Sequence, residues 1–380
     1  PTGLTVPAAA AVMLVTILTN VRVAAMASLM IAILLSIQFG SNWQLLMVSG
    51  AMCFGGMSTL YIVRKRRDMT NAAIVDPVVG APPSLAAAAA KGSISFATRN
   101  EVMKIGLNGL ICLFIVPGLL SPLERLFGIT TDIQLLEYSD LNNDLLSRLA
   151  IEVPATYAHS LMLGQLAEVA ALAIGANGLL ARVCAYYHDI GKLRRPEYFS
   201  ENQTGHNIHE GLNPRLSARA IASHVLEGVE MAREYHLPQP IIDGIREHHG
   251  TTLISFFYQQ AKEQQKHGDV VEEDFRYPGP KPQSRETALL MICDAVESGV
   301  RSIKNPNEER VREFIDKIIR ARLEDRQFDE CDLTLRRLDT IANVLTRQVM
   351  TTMHTRIAYP EKPAAAKAGN VIRITGGREV

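Results

Sequence analysis

Residues 1–63 carry a single formal charge, Arg22, where the chain-wide charged fraction of 21% would place about 13. A soluble domain needs charge on its outward faces, so this stretch excludes a wholly soluble protein. Its apolar residues fall into runs over 4–19 and 21–40, broken around Asn20 and Arg22, and a third over 43–63 with Trp43 and Tyr61 near its ends. Each run approaches the roughly 20 residues that cross about 30 Å of hydrocarbon, with the aromatic residues as interfacial anchors. A signal peptide accounts for one such run but not for several in succession. The chain opens on Pro1, directly into apolar sequence, and reads as a piece of a longer protein with a further N-terminal part.

Charge at the ends of the runs sets topology. Arg64, Lys65, Arg66 and Arg67 follow the third run at once, which marks the cytoplasmic side. Another clear run covers 105–123; its Pro117 is tolerated in membrane helices. Alone, that run would carry everything downstream out of the cell. Residues 70–90, which include Asp76, Pro77, Pro82 and Pro83, either supply a paired crossing or form a re-entrant or surface-lying segment. The expected organisation is a transmembrane bundle of about five crossings over 1–123 and a linker with the first soluble helix over 124–150. A helical domain over 151–360 and a disordered tail over 361–380 complete it.

After Phe127 the composition is that of a soluble helical domain, without sustained period-two alternation, so the fold class is all-α. Asp140, Asn142, Asn143 and Asp144 read as cap and turn residues. Leu161, Leu166, Val169, Ala170 and Ala173 suggest one helix face; Ile221, Val225, Val229 and Ala232 a second; Val311, Phe314, Ile315 and Ile318 a third. Pro278, Pro280 and Pro282 mark a long loop. Thirty-nine basic residues balance 39 acidic ones, and no basic cluster appears beyond the membrane-flanking run. That argues against a nucleic-acid polymer as partner. Five scattered cysteines with no CxxC pair suit a reducing compartment.

Nine of the ten histidines lie between His159 and His267. The sharpest elements are His188-Asp189 in AYYHDIGK and His248-His249 in REHHGTT, joined by His159, His224 and Asp294. Imidazole and carboxylate without thiolate suit divalent ions of the Mn, Fe and Zn group, and argue against a structural zinc site. Seven candidate ligands exceed the needs of one ion. Two ions sharing Asp189 as a bridge would use them all, which makes Asp189 the central catalytic residue and phosphodiester hydrolysis the chemistry. Lys192, one turn after His188, could bind a phosphate oxygen, protonate a leaving group, or sit in solvent. Arg194, Arg195, Tyr198, Phe199 and Asn202 in RRPEYFSENQ offer guanidinium, stacking ring and amide to a nucleotide, or serve as caps and turns.

The pattern H…HD…H…HH…D resembles the HD-domain metal-dependent phosphohydrolases. The longer stretches LERLFGITTDIQLLEYSDLNNDLL, SHVLEGVEMAREYHLPQPIIDGIREHHGTTL and DFRYPGPKPQSRETALLMICDAVE are similar to one branch, the seven-transmembrane HD hydrolases of the PgpH type, which are cyclic di-AMP phosphodiesterases. The resemblance covers most of 128–360 and extends into the preceding membrane helices. It implies a multi-helix transmembrane bundle in the cytoplasmic (inner) membrane, followed by a helical cytoplasmic HD domain holding two Fe or Mn ions that opens cyclic di-AMP to pApA. By that resemblance His159, His188, Asp189 and Asp294 hold one ion, and Asp189, His224, His248 and His249 the other, with Lys192, Arg195, Tyr198 and Asn202 toward substrate. GTTLISFF stands where related cyclic di-GMP enzymes carry a GYP signature, which favours adenine by the same resemblance. Glu210 stands where Asp is common in the family. Expected partners are the cyclic dinucleotide and membrane lipid, with a homo-oligomer left open. Two other readings stand beside the enzyme: a non-catalytic HD-fold nucleotide receptor, and an HD hydrolase of another nucleotide.

Overall fold

The computed structural model describes all residues except 1–5, 61–65, 91–95, 204, 206, 265–269, 304 and 355–380. Arg64, Lys65, Tyr61 and the 361–380 tail therefore lie outside the described residues. Among those described, the structure is helical with no strand; Leu253 and Arg276 form one isolated antiparallel bridge.

Five helices make the first half: α1 (Ala8–Leu18), α2 (Val21–Gln38), α3 (Trp43–Thr59), α4 (Arg66–Ala90) and α5 (Phe96–Phe127). Asparagine starts two of them. Asn20 Oδ1 accepts from the amides of Arg22 and Val23, and Asn42 Oδ1 from those of Gln44 and Leu45, satisfying amides that a helix start leaves open. Residues 70–90 lie within the single helix α4 despite three prolines, packed between α3 and α5. Val12, Met13, Ala24, Val48, Cys53, Ala72, Ile105 and Cys112 build a common interior. The outward faces are apolar too. Met26 is 76% exposed and Phe114 70%, and the apolar windows of α2 and α5 are only 22% and 28% buried. Helices this apolar and this uncovered are not the interior of a soluble core; they present a lipid-facing surface.

The second half comprises α6 (Asp132–Tyr138), α7 (Asp144–Glu152), α8 (Pro154–Ala173), α9 (Gly178–Tyr187), α10 (Pro214–Glu234), α11 (Gln239–Glu247), α12 (Ser255–Gln264), α13 (Arg285–Val300), α14 (Glu308–Glu324) and α15 (Leu335–His354). Two large cores hold it together, with a smaller one where Phe257 and Tyr258 of α12 and Phe275 pack on Ala218 of α10. One joins α8, α9, α13, α14 and α15 through Leu163, Ala167, Leu289, Ile292, Ile315 and Leu345. The other joins α6, α7, α9, α10 and α11 through Leu135, Leu146, Leu149, Tyr187, Ile241 and Ile245. The face expected for α8 is corrected: Leu163, Leu166, Ala167, Ala170 and Ala171 are buried, whereas Val169 is exposed. That helix is apolar nearly all round, so periodicity does not select the side against which α9, α13 and α15 pack.

The short helix α6 belongs to both halves. Ile133 packs in the bundle interior and Leu135 in the α9–α11 core. Thr131 caps it, donating its hydroxyl to the buried Glu124 near the end of α5. At its far end the Tyr138 carbonyl accepts from the Tyr187 hydroxyl at 2.9 Å.

Candidate metal centre

Five helices converge on the region between the two cores. His159 lies inside α8, His224 inside α10 and Asp294 inside α13. The two adjacent pairs sit where helices stop: His188 is the C-cap of α9 and His248 the C-cap of α11. In a helix interior, neighbouring side chains diverge by about 100°, so a consecutive pair can serve one site only where the backbone leaves the helix. Two helix C-termini also bring negative dipole ends toward a cation.

The rings are oriented from behind. Nδ1 of His188 donates to the Ala185 carbonyl at 2.7 Å, that of His224 to Ile221 at 2.6 Å, and that of His248 to Ile245 at 2.7 Å. Each bond fixes the tautomer and leaves Nε2 with a lone pair directed inward. His159 is held differently: its Nδ1 lies 2.5 Å from Oε2 of the buried Glu297, whose other oxygen pairs with Arg301.

Asp189 sits between two sets of donors. Its Oδ2 is 3.1 Å from His188 Nε2 and 4.0 Å from His159 Nε2; its Oδ1 is 3.3 Å from His224 Nε2 and 3.9 Å from His248 Nε2. Asp294 reaches His159 at 3.2 Å and His249 at 3.8 Å. Ligand atoms of His159, His188 and Asp294 lie within 4.8 Å of one another, as do those of His224, His248 and His249. The seven residues read from the sequence as ligands are thus brought together, with the two carboxylate oxygens of Asp189 turned to different groups.

These residues fit divalent metal. Asp189 Oδ1 and His188 Nε2 are buried without a hydrogen-bond partner, and the Nε2 atoms of His224 and His248 stand 3.3 Å apart. Lone pairs so close repel unless a cation or proton lies between them. Burial and then neighbouring imidazoles push the His248 pKa down to about 3, and burial lowers His224 and His249 as well, so these rings are neutral at neutral pH. Burial opposes charge on His159 too, but its bonds to Asp294 and Glu297 carry its pKa up to about 10. As a ligand it would keep the Nδ1 proton on Glu297 and release the one on Nε2. Burial would raise Asp189, yet His188 and Lys192 hold it well below the usual carboxylate range.

Lys192 faces the site by a different geometry from the expected helical turn after His188. Beyond α9 the chain tightens into a 3₁₀ turn over Ile190–Leu193, and Lys192 Nζ lies 2.8 Å from Asp189 Oδ2 and 2.7 Å from Glu201. The two carboxylates outweigh burial and keep the ammonium charged. The cause is close backbone approach: a Cβ on Gly191 would overlap the His224 carbonyl, so glycine lets this turn lie directly on α10. Of the residues read toward substrate, Asn202 Nδ2 donates to Thr156 Oγ1 at 3.1 Å, and Tyr198 lies beside His209. The Arg195 side chain is 55% exposed and leans toward Glu227 at 3.9 Å, with its guanidinium 5.9 Å from the centre of the Tyr198 ring. Phe199 packs edge-on against His224 and under Lys192.

Three neighbours were not read from the sequence. Glu297 is one; it follows Asp294 by one turn of α13, the only local signal. Tyr277 stacks on His249 with centroids 4.1 Å apart, from the loop after Arg276. Arg322, in the last turn of α14, is half-buried with its Nε sealed from solvent, and lies near enough to Asp294, Asp325 and Tyr277 for their charges to act on it.

Comparison with known proteins covers both halves. Residues 2–131 match the family described as "7TM receptor with intracellular HD hydrolase", and residues 156–299 match the HD domain. Cyclic-di-AMP phosphodiesterase PgpH of Bacillus subtilis (strain 168) is 41% identical over 382 residues, 96% of this chain and 52% of that protein. PgpH of Listeria monocytogenes serotype 1/2a (strain 10403S) is 44% identical over 266 residues, 69% of this chain and 37% of that protein. The chain thus spans about half the length, or less, of these curated relatives. The crystal structure of the L. monocytogenes PgpH HD domain in complex with cyclic di-AMP matches with TM-score 0.54 and 47% identity, over 57% of this chain and 99% of that one. With apolar helices under the first match and a His/Asp cluster fit for divalent metal under the second, the chain belongs to the PgpH-type 7TM receptors with an intracellular HD hydrolase domain.

Proposed function

We propose that this chain is a membrane-tethered phosphodiesterase that uses two divalent ions, Fe or Mn, to hydrolyse cyclic di-AMP to pApA. The observation that carries the reading is Asp189, whose two oxygens face two separate groups of ligands, His188 and His159 on one side and His224 and His248 on the other. Divalent ions in such a pair supply Lewis acidity at a phosphoryl oxygen and lower the pKa of water. Asp294 and His249 complete the two sets. Lys192, held charged beside Asp189, is placed to pair with a phosphate oxygen or to donate a proton to the departing ribose oxygen. Tyr198 and Asn202, on the segment that follows it, would offer a stacking ring and an amide to the nucleotide. The cyclic di-AMP in the Listeria HD-domain structure and the activity named for PgpH relatives support adenine as the base.

The domain division proposed is a bundle over 1–123, a linker with the first soluble helix over 124–150, an HD domain over 151–360 and a tail over 361–380. The HD domain lies in the cytoplasm beneath the inner membrane, and lipid covers the bundle. Supporting this, the α1–α2 loop at Thr19–Asn20, the end of α3 at Leu60 and the chain after α5 at Ile129–Ile133 line one 460 Å³ cavity. All three therefore lie at the HD end of the bundle, as alternating crossings require.

The test is turnover by the full chain in detergent with Mn or Fe, offered cyclic di-AMP, cyclic di-GMP and dNTPs. Conversion of cyclic di-AMP to pApA is expected. Binding without turnover of any of them would make the protein a receptor and end the enzyme reading. Asp189→Ala should abolish turnover and lower metal content, while Lys192→Ala should slow turnover with both ions retained.

A further inference from the structure

The metal centre accounts for one phosphoryl group, and a cyclic dinucleotide carries two. A second anion seat should appear as a cation near the ligands that the protein itself leaves unpaired. Lys192 does not qualify, because Asp189 and Glu201 both hold it. Arg322 does. Among the described residues its guanidinium makes no hydrogen bond and no ion pair, and its Nε is fully buried without a partner. Arg182 and Arg246 also bury an Nε, but each of them pairs with a carboxylate, Glu168 and Asp243 respectively. A partly buried, unpaired guanidinium is costly, and native structures rarely keep one without a ligand to meet it.

Its position is fixed by the backbone around it. The Arg322 carbonyl, in the last turn of α14, accepts from the Gln327 amide at 2.9 Å. Gln327 in turn accepts from the Thr251 amide at 3.0 Å, two residues beyond His249. Arg276 joins the same loop to the same turn, donating to the Thr251 carbonyl at 2.7 Å and to Asp325 at 2.9 Å. The turn that carries Arg322 is therefore fastened to the loop that carries the paired histidines. The anionic and phenolic groups that act on it are Asp294, Asp325 and Tyr277. Asp325 is taken by Arg276, Asp294 faces His159 and His249, and the Tyr277 ring lies on His249. Arg322 thus belongs to the Asp294–His249 flank of the site, whereas Lys192 belongs to the Asp189 side.

We infer that Arg322 seats the second phosphoryl group of a substrate whose first lies at the metal centre. This rests on the cyclic-dinucleotide reading and deepens it, making the site selective for substrates with two phosphoryl groups. Two measurements on the full chain in detergent test it. In the first, inorganic phosphate is titrated into metal-free wild type, Arg322→Met and Arg322→Lys. The Met variant should bind phosphate about tenfold more weakly, as loss of a charged hydrogen bond implies, with Lys between the two. Its Tm in the absence of ligand should rise, since a partly buried, unpaired charge is removed; if it fails to fold, Arg322→Gln carries the same comparison. Unchanged phosphate affinity overturns the proposal, whatever Tm does. In the second, KM for cyclic di-AMP should rise about tenfold in the Met variant with KM for bis(p-nitrophenyl) phosphate, which has one phosphoryl group, unchanged. An equal rise for both substrates overturns the second-phosphate assignment. A wild type that cleaves bis(p-nitrophenyl) phosphate but no cyclic dinucleotide would remove the proposed substrate, and the phosphate titration would still decide whether Arg322 is an anion seat.

Discussion

Glu297 shows what a single side chain adds behind a ligand. Three of the histidines lean on main-chain carbonyls that no substitution can remove, but His159 leans on a carboxylate. Glu297→Gln keeps an acceptor and loses the charge, and Glu297→Ala loses both. Metal affinity should fall by about 10-fold in the first and up to about 100-fold in the second, measured by competition with a chromogenic chelator. Wild-type affinity in the Ala variant would mean that His159 is oriented by packing alone. The sequence reveals the ligands and hides this partner for a chemical reason. His188-Asp189 and His248-His249 are rare combinations whose donors mean something at any position, whereas a glutamate three residues after an aspartate is ordinary helix surface until α8 is known to lie against it. Arg322 is hidden further, because nothing near it in sequence distinguishes it from Arg320 or a solvated helix arginine.

Helix ends and close helix contacts decide whether those donors can meet. The 3₁₀ turn at Ile190–Leu193 rests on α10, and its placement carries Asp189 and Lys192 together. Gly191→Ala puts a methyl group against the backbone of His224 and Gly228, which cannot rotate away as a side chain could. The turn must lift, so the variant should lose several kcal/mol of stability, on the order of 3 or more, together with its metal. Thermal unfolding and metal analysis on the same preparation check both. A stable variant with full metal content would show that α10 can retreat. Helix existence was legible from apolar spacing, and so were the faces of α10 and α14, where Val225, Val229, Val311 and Ile315 are buried as read. The face of α8 was not, since alanine and leucine surround it. Nor was the 3₁₀ turn, which depends on a contact between two glycine-bearing segments 37 residues apart, Gly191 and Gly228.

For the molecule as a whole, the open quantity is the number of crossings. If α4 and α5 both span, a cysteine at Ser95 should react with a membrane-impermeant thiol reagent in intact cells, and one at Ser139 only after lysis. Both are introduced into a variant lacking the native cysteines, four of which are buried. Protection of the Ser95 site, with Ser139 still internal, would show that α4 does not cross. The near absence of charge over the first 63 residues made the membrane half legible, while the prolines of α4 obscured one member of it. The junction below was legible as a linker with the first soluble helix, but not as a segment packed into both halves. A flexible linker would isolate the two halves thermally and mechanically, letting one reorient without the other. The chain between Phe127 and Asp132 is too short for that, and α6 beyond it contributes Ile133 to one interior and Leu135 to the other. Any tilt or rotation of α5 that carries α6 with it must therefore repack residues around Tyr187, which immediately precedes His188-Asp189. Unfolding of either half exposes part of the other's interior, so the two should melt as coupled units rather than as a bundle and a passenger.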